Sequence, residues 1–102
     1  MKSRHTLLVL ASLAWTCHAQ AQAPTPQQVR SWAAGCANCH GTNGNAQPGM
    51  VALAGAAQTE TVQKMKEFKS GTRPATLMHQ LAKGYSDEQI EAIAAYFAAQ
   101  KK

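Results

Sequence analysis

The chain has 102 residues, which allows one domain. Ten Lys and Arg against five acids leave a formal charge of +5. The lysines lack the interleaved aromatics and the recognition motif that a nucleic-acid reading requires, so no nucleic-acid partner is expected. No Ser/His/Asp or paired-carboxylate constellation is visible, and hydrolytic chemistry is not expected either.

Taken in order, the chain opens on what reads as an export signal. Lys2 and Arg4 form a basic start, Thr6 to Trp15 is uncharged and mostly apolar, and Ala19-Gln20-Ala21 and Ala21-Gln22-Ala23 are both A-x-A cleavage sites. Cleavage is expected after Ala21, because cleavage after Ala23 would leave Pro24 first. The apolar stretch is too short to span a membrane comfortably, which favours a cleaved signal over an anchor, and no membrane span is expected beyond it. Trp15 stands where a lipid-anchor signal would want a small residue before Cys17. Removal of residues 1–21 leaves residues 22–102, with eight basic and five acidic side chains and a net charge of +3. A chain of 81 residues has a marginal core and often needs a staple.

Thr25 is placed to cap a first helix with Pro26 at its first position. That helix is predicted to run to about residue 34, with Val29, Trp32 and Ala33 on one face, Trp32 as core, and Gly35 loosening its end. Directly after it comes Cys36-Ala37-Asn38-Cys39-His40, the C-x-x-C-H signature of covalent haem attachment. Two thiols three positions apart can reach the two vinyl groups of one haem and form thioethers. The following histidine then lies under the iron as its proximal ligand. A redox disulfide would belong beside a strand, and none is predicted nearby. Zinc would need a fourth ligand besides Cys36, Cys39 and His40, and His79 is the only other histidine outside the leader. Haem attachment consumes both remaining thiols, which suits an oxidising compartment, and its two propionates bring the net charge to about +1.

Residues 41–49 carry three glycines, two asparagines and Pro48, which is loop composition. From Gln22 to Thr59 the only charged residue is Arg30, so this side is read as the one bordering the haem. Residues 51–57 are small and apolar. A second helix is predicted over 60–70, with Val62, Met65 and Phe68 inward, Lys64 and Glu67 paired at i, i+3, and Gly71 as its stop. A short third helix is predicted over about 75–83, closed by Gly84. Ser86-Asp87-Glu88-Gln89 reads as a capping box, and Ile90, Ile93, Ala94 and Phe97 follow at helical spacing. Nothing alternates with period two, so the fold class is all-α: about four helices packed round one covalently bound haem.

Three stretches carry a family resemblance: C-A-N-C-H-G-T-N-G-N, F-K-S-G-T-R-P-A-T-L-M, and S-D-E-Q-I-E-A-I-A-A-Y-F. Over residues 29–98 the chain resembles bacterial class I c-type cytochromes, most of all the single-haem cytochrome subunits of flavocytochrome c sulfide dehydrogenases. The resemblance implies Cys36 and Cys39 as thioether attachments, His40 as proximal ligand and Met78, in the A-T-x-M segment, as distal ligand. It also implies a periplasmic location. The family often has a proline where Val51 stands, and that residue's carbonyl usually holds the proximal histidine's other ring nitrogen. Val51 retains a carbonyl on a less rigid backbone. From ligand type and placement alone, Met50, Met65 and Met78 are available: Met65 lines up with the core, Met50 suits either role, and Met78 is farthest in sequence from His40, with His79 as its rival.

The function so implied is outer-sphere electron transfer at a six-coordinate haem, in an electron-transfer protein rather than an enzyme. No G-x-G-x-x-G is present, so a flavin-bearing donor would be a separate polypeptide. The expected partner is that flavoprotein or another redox protein; the alternative is a free carrier serving a terminal oxidase or reductase.

Overall fold

The structure, a computed structural model, describes residues 20–102. The export signal expected over residues 1–21 lies outside the described residues, apart from its last two positions. Four α-helices and one short 3-10 turn make up the rest, with no strand among the described residues. The all-α expectation is met. None of these helices is long and apolar enough to cross a membrane.

α1 spans Pro26–His40. The Thr25 hydroxyl accepts from the Gln28 N–H at 3.2 Å, and the Gln28 side chain accepts from the Thr25 N–H at 2.8 Å, which satisfies two donors that the helix start would otherwise leave unpaired. The helix does not stop near residue 34 as expected, but continues through the whole C-x-x-C-H motif. Gly35 costs about 1 kcal/mol of helix propensity, too little to break a helix whose face is packed. Its missing side chain also makes room, since a Cβ there would lie 3.2 Å from the Tyr85 hydroxyl. The stop is Gly41, at φ 83°, where a Cβ would fall 2.0 Å from the Asn45 carbonyl oxygen.

α2 spans Gln58–Ser70 and ends on Gly71 in the left-handed region. α3 is only Met78–Ala82, shorter than expected. Leu77 lies outside helical geometry and no side chain caps an earlier start, so the Leu77 carbonyl is the first to accept helical bonds, from Gln80 and Leu81. α4 spans Asp87–Ala98 and starts with the expected box between Ser86 and Gln89. Tyr85 before the cap and Ile90 in the first turn share one apolar cluster, a hydrophobic staple that fixes the entry of the chain into the helix.

α4 is the centre of the packing: α1 lies against it on one side and α2 on the other, with α3 carried on α2. Val62, Met65, Ala82, Ile90 and Ala94 form one cluster, and Ala33, Ile93 and Phe97 a second, with Tyr85 touching both. The fully buried alanines 82 and 94 let helices approach closely. Phe97 is 1% exposed and meets Tyr96 edge-on, the ring centroids 5.2 Å apart. Phe97→Ala is therefore expected to cost about 3–5 kcal/mol in denaturant unfolding, whereas Met50→Ala, at a side chain left 46% exposed, should cost far less.

The ion pairs differ from expectation at one point. Lys64 pairs with Glu60 one turn earlier rather than with Glu67. Glu N-terminal to Lys at i, i+4 is the better orientation, and the Glu67 carboxylate is already taken by Gln63 and Arg73. Lys66 reaches Glu91 at 3.6 Å, and Lys69 reaches Asp87 at 2.9 Å.

Candidate haem site

The last turn of α1 carries Cys36, Cys39 and His40. Helical spacing places the two sulfurs and the imidazole on neighbouring positions of one face. Both cysteines are free. Cys36 is half-buried against Ala33, Ile93 and Phe97, and burial pushes its thiol above the ordinary value, so it waits as a neutral thiol; Cys39 is exposed. Among the described residues no three His, Cys, Asp or Glu side chains converge as a metal-ion site.

His40 Nδ1 lies 2.6 Å from the Val51 carbonyl oxygen. A carbonyl can only accept, so Nδ1 carries the proton and Nε2 keeps its lone pair, on the far side of the ring. The substitution at the position where the family often has proline leaves this bond intact, because it uses the backbone. The loop that brings Val51 to His40 is stitched at several points. The Gly44 carbonyl accepts from the N–H groups of Leu53 and Ala54, at 2.9 and 3.1 Å. Tyr96 donates its hydroxyl proton to Asn43 at 2.9 Å, and the Gly55 N–H donates to the Phe97 carbonyl at 2.9 Å. Gly44 is buried, and a Cβ there would come within 2.7 Å of the Ala54 nitrogen and 2.8 Å of the Phe97 ring. The end of α4 thus holds the loop that orients the histidine.

Met78, the other expected ligand, begins α3 and is half-buried against the cluster of Val62, Met65, Ala82, Ile90 and Ala94. Met65 is buried within that cluster, as expected of a core residue, and Met50 is exposed. His79 follows Met78, and its Nδ1 is covered by the chain itself without a hydrogen-bond partner. Among the described residues, α1 has no packing against α2 or α3 comparable to its packing on α4. The motif and Met78 therefore belong to different packing units, joined through α4 and Tyr85.

Among the described residues, the large apolar side chains left exposed are Met50, Val51, Leu77 and Leu81, at 46, 65, 63 and 52%. All four lie on the segment after His40 or the segment around Met78. Apolar surface of this kind calls for an apolar cover. A macrocycle fits that requirement, and the donor set of two thiols, one imidazole with a free Nε2 and one thioether fits an attached haem.

Two residues in the site's support escaped the sequence reading. Tyr85 fills the place beside Gly35, and burial, with Cys36 as a lesser cause, pushes its phenol above the ordinary value. Its signal was the aromatic just before the S-x-x-Q box. Arg73 binds Glu67, which no local pattern indicates.

A cytochrome c family model matches residues 27–101. The chain is similar to the cytochrome subunit of sulfide dehydrogenase from Chlorobaculum tepidum, at 40% identity over 61% of this chain and 56% of that protein. It is similar to cytochrome c4 from Pseudomonas aeruginosa, at 36% identity over 94% of this chain and 47% of that protein. It is also similar to cytochrome c-554(548) from Halomonas halodenitrificans, at 39% identity over 65% of this chain and 84% of that protein. The chain spans about half the length of the first two relatives and most of the third. Extent of match, all-helical architecture and a motif built to hold one covalent haem c agree: the chain belongs to the cytochrome c family.

Proposed function

We propose that this chain is an exported, periplasmic electron acceptor for a sulfide-oxidising flavoprotein, with Cys36 and Cys39 as thioether anchors, His40 as proximal ligand and Met78 as distal ligand. The bound haem supplies one-electron exchange between Fe(III) and Fe(II). The chain supplies the rest. Cys36 and Cys39 fix the ring against α1, and the Val51 carbonyl sets the His40 tautomer and ring angle. Met78 would close the distal side, leaving no position for a substrate, and a thioether there would favour the reduced state. The exposed apolar side chains of Met50 and Leu77 would keep water from the ring face. The export signal over residues 1–21 would deliver the chain to the compartment where such a partner works.

The observation that carries the partner reading is the state of the lysines. A diffusing carrier is steered by free surface charge. Here Lys64, Lys66 and Lys69 are each paired within the chain, to Glu60, Glu91 and Asp87. Within residues 22–59 Arg30 is the only charged residue, although Lys101 and Lys102 lie beside Asn45 and Gly55 of that stretch. Lysines paired within the chain suit a lasting subunit contact better than a salt-sensitive encounter. The named role of the sulfide dehydrogenase relative supplies the substrate class.

The second reading is a free carrier to a terminal oxidase or reductase. The cytochrome c-554(548) relative, covered over 84% of its length, favours it, as do Arg30, Lys83, Lys101 and Lys102, which enter no ion pair among the described residues. Purification of the native protein separates the two readings. The subunit reading expects a flavin-containing polypeptide to co-elute at high and low salt and to reduce the haem when sulfide is added. Elution alone at every ionic strength, with no electron transfer from the reduced flavoprotein, would leave the free-carrier reading.

A further inference from the structure

The segment that presents Met78 is barely attached. Residues 74–76 make no hydrogen bond with the rest of the described chain, and Leu77 is 63% exposed. α3 supports the far end of the segment but is five residues long and has no side-chain cap. A strap of this kind would let a methionine swing away from iron unless its near end were held.

The near end is held at one residue of α2. The N–H groups of Thr72 and Arg73 lie 3.0 and 3.3 Å from the Glu67 backbone carbonyl oxygen, and the hydroxyls of Ser70 and Thr72 lie 3.1 and 3.3 Å from it, so these donors share its two lone pairs. The Glu67 carboxylate accepts from Arg73 Nε at 2.7 Å on one oxygen and from the Gln63 amide at 2.9 Å on the other. The Gln63 amide, then Arg73, hold that carboxyl below the usual carboxylate range, so it stays ionised at neutral pH. The Arg73 guanidinium also lies over the Phe68 ring, 5.7 Å from its centroid. Phe68 packs on the same apolar cluster as Met78. A charge-assisted bond and a cation over a ring therefore fasten the strap to the surface on which the methionine rests.

We propose that Arg73 is a positioning residue for the sixth ligand: its clamp on Glu67 and Phe68 holds the 71–77 strap so that Met78 stays on iron. The inference rests on Met78 being that ligand. Arg73 touches neither haem nor iron in this role; it acts through the strap.

The test uses the haem-loaded, full-length protein in the ferric state. Two signals are followed: the weak thioether-to-iron band at the red end of the spectrum, and the affinity for added imidazole, which binds only when Met78 leaves. Arg73→Gln and Glu67→Ala are each expected to weaken the band and to tighten imidazole binding about tenfold. The double variant should be no worse than Arg73→Gln alone, because Arg73→Gln already removes the bond to Glu67. The denaturant midpoint of the reduced protein should move little, since these side chains lie outside the buried core. An unchanged band with imidazole binding within about twofold of the wild type overturns the clamp, and so do additive effects or a loss of band that only mirrors a fall in global stability. Met78→Ala is the reference. If it abolishes the band while Arg73→Gln does nothing, the ligand assignment stands and the clamp fails. If Met78→Ala leaves the band intact, the ligand assignment fails and the clamp falls with it.

Discussion

His40→Ala is expected to prevent accumulation of stable haem-loaded protein. The side chain has two tasks that no neighbour duplicates. One nitrogen is held 2.6 Å from the Val51 carbonyl, and the other would be the ligand to iron. Loss of a partner one shell further out typically costs about 10–100-fold in metal affinity, and loss of the ligand itself should cost more. The fold has little to spare in compensation. Its fully buried side chains are few, alanines are prominent among them, and the largest are Phe97 and Ile90. A protein with so small a core depends on its prosthetic group. The measurement is haem absorbance per polypeptide in exported protein, expected to drop by about tenfold or more. A His40→Ala protein with full haem content and a wild-type spectrum would mean that another group holds the proximal side.

Met78→Ala should have a different signature. The haem stays attached, because Cys36, Cys39 and His40 lie on α1 while Met78 lies on α3, in a separate packing unit. The distal side opens, and the ferric thioether band disappears. The potential should fall by something on the order of 0.1 V, within the roughly 0.8 V range that axial ligands span. Carbon monoxide separates the two forms. The reduced wild-type protein should show no large, rapid spectral shift on its addition, and the variant should show one. A rapid shift in the wild type would mean an open distal side from the start; a thioether band absent from the wild type would move the ligand to His79, and one that persists in the variant would move it to Met50 or Met65.

Local chemistry was legible in the residues themselves. Thr25 and Ser86 cap their helices where the side chains allow it, because an N-cap needs only a short oxygen-bearing side chain and a reachable N–H. Gly71 ends α2 because the left-handed conformation there suits a residue without a side chain. The apolar spacing of the last helix placed Ile90, Ile93, Ala94 and Phe97 in the core, where they lie. The α1 boundary was misread because Gly35 looks like a helix breaker in isolation. Its conformational cost is small beside the packing of Tyr85 against it, and that packing partner lies 50 positions away in the sequence.

What the sequence determined alone is therefore the all-α class, the capped starts of α1 and α4 and the haem-attachment motif, since each depends on groups a few positions apart. The tertiary structure decided how those pieces serve the haem. It placed the Val51 carbonyl on His40 through a loop anchored at Gly44 and the end of α4. It neutralised the lysines of α2 with acids, two of them on α4, and tied the strap before Met78 to Glu67. Most of these contacts join residues distant in the chain, and backbone carbonyls carry no side-chain identity to read. They form only once α4 has brought α1 and α2 to its two sides, so their geometry follows from packing rather than from any local pattern.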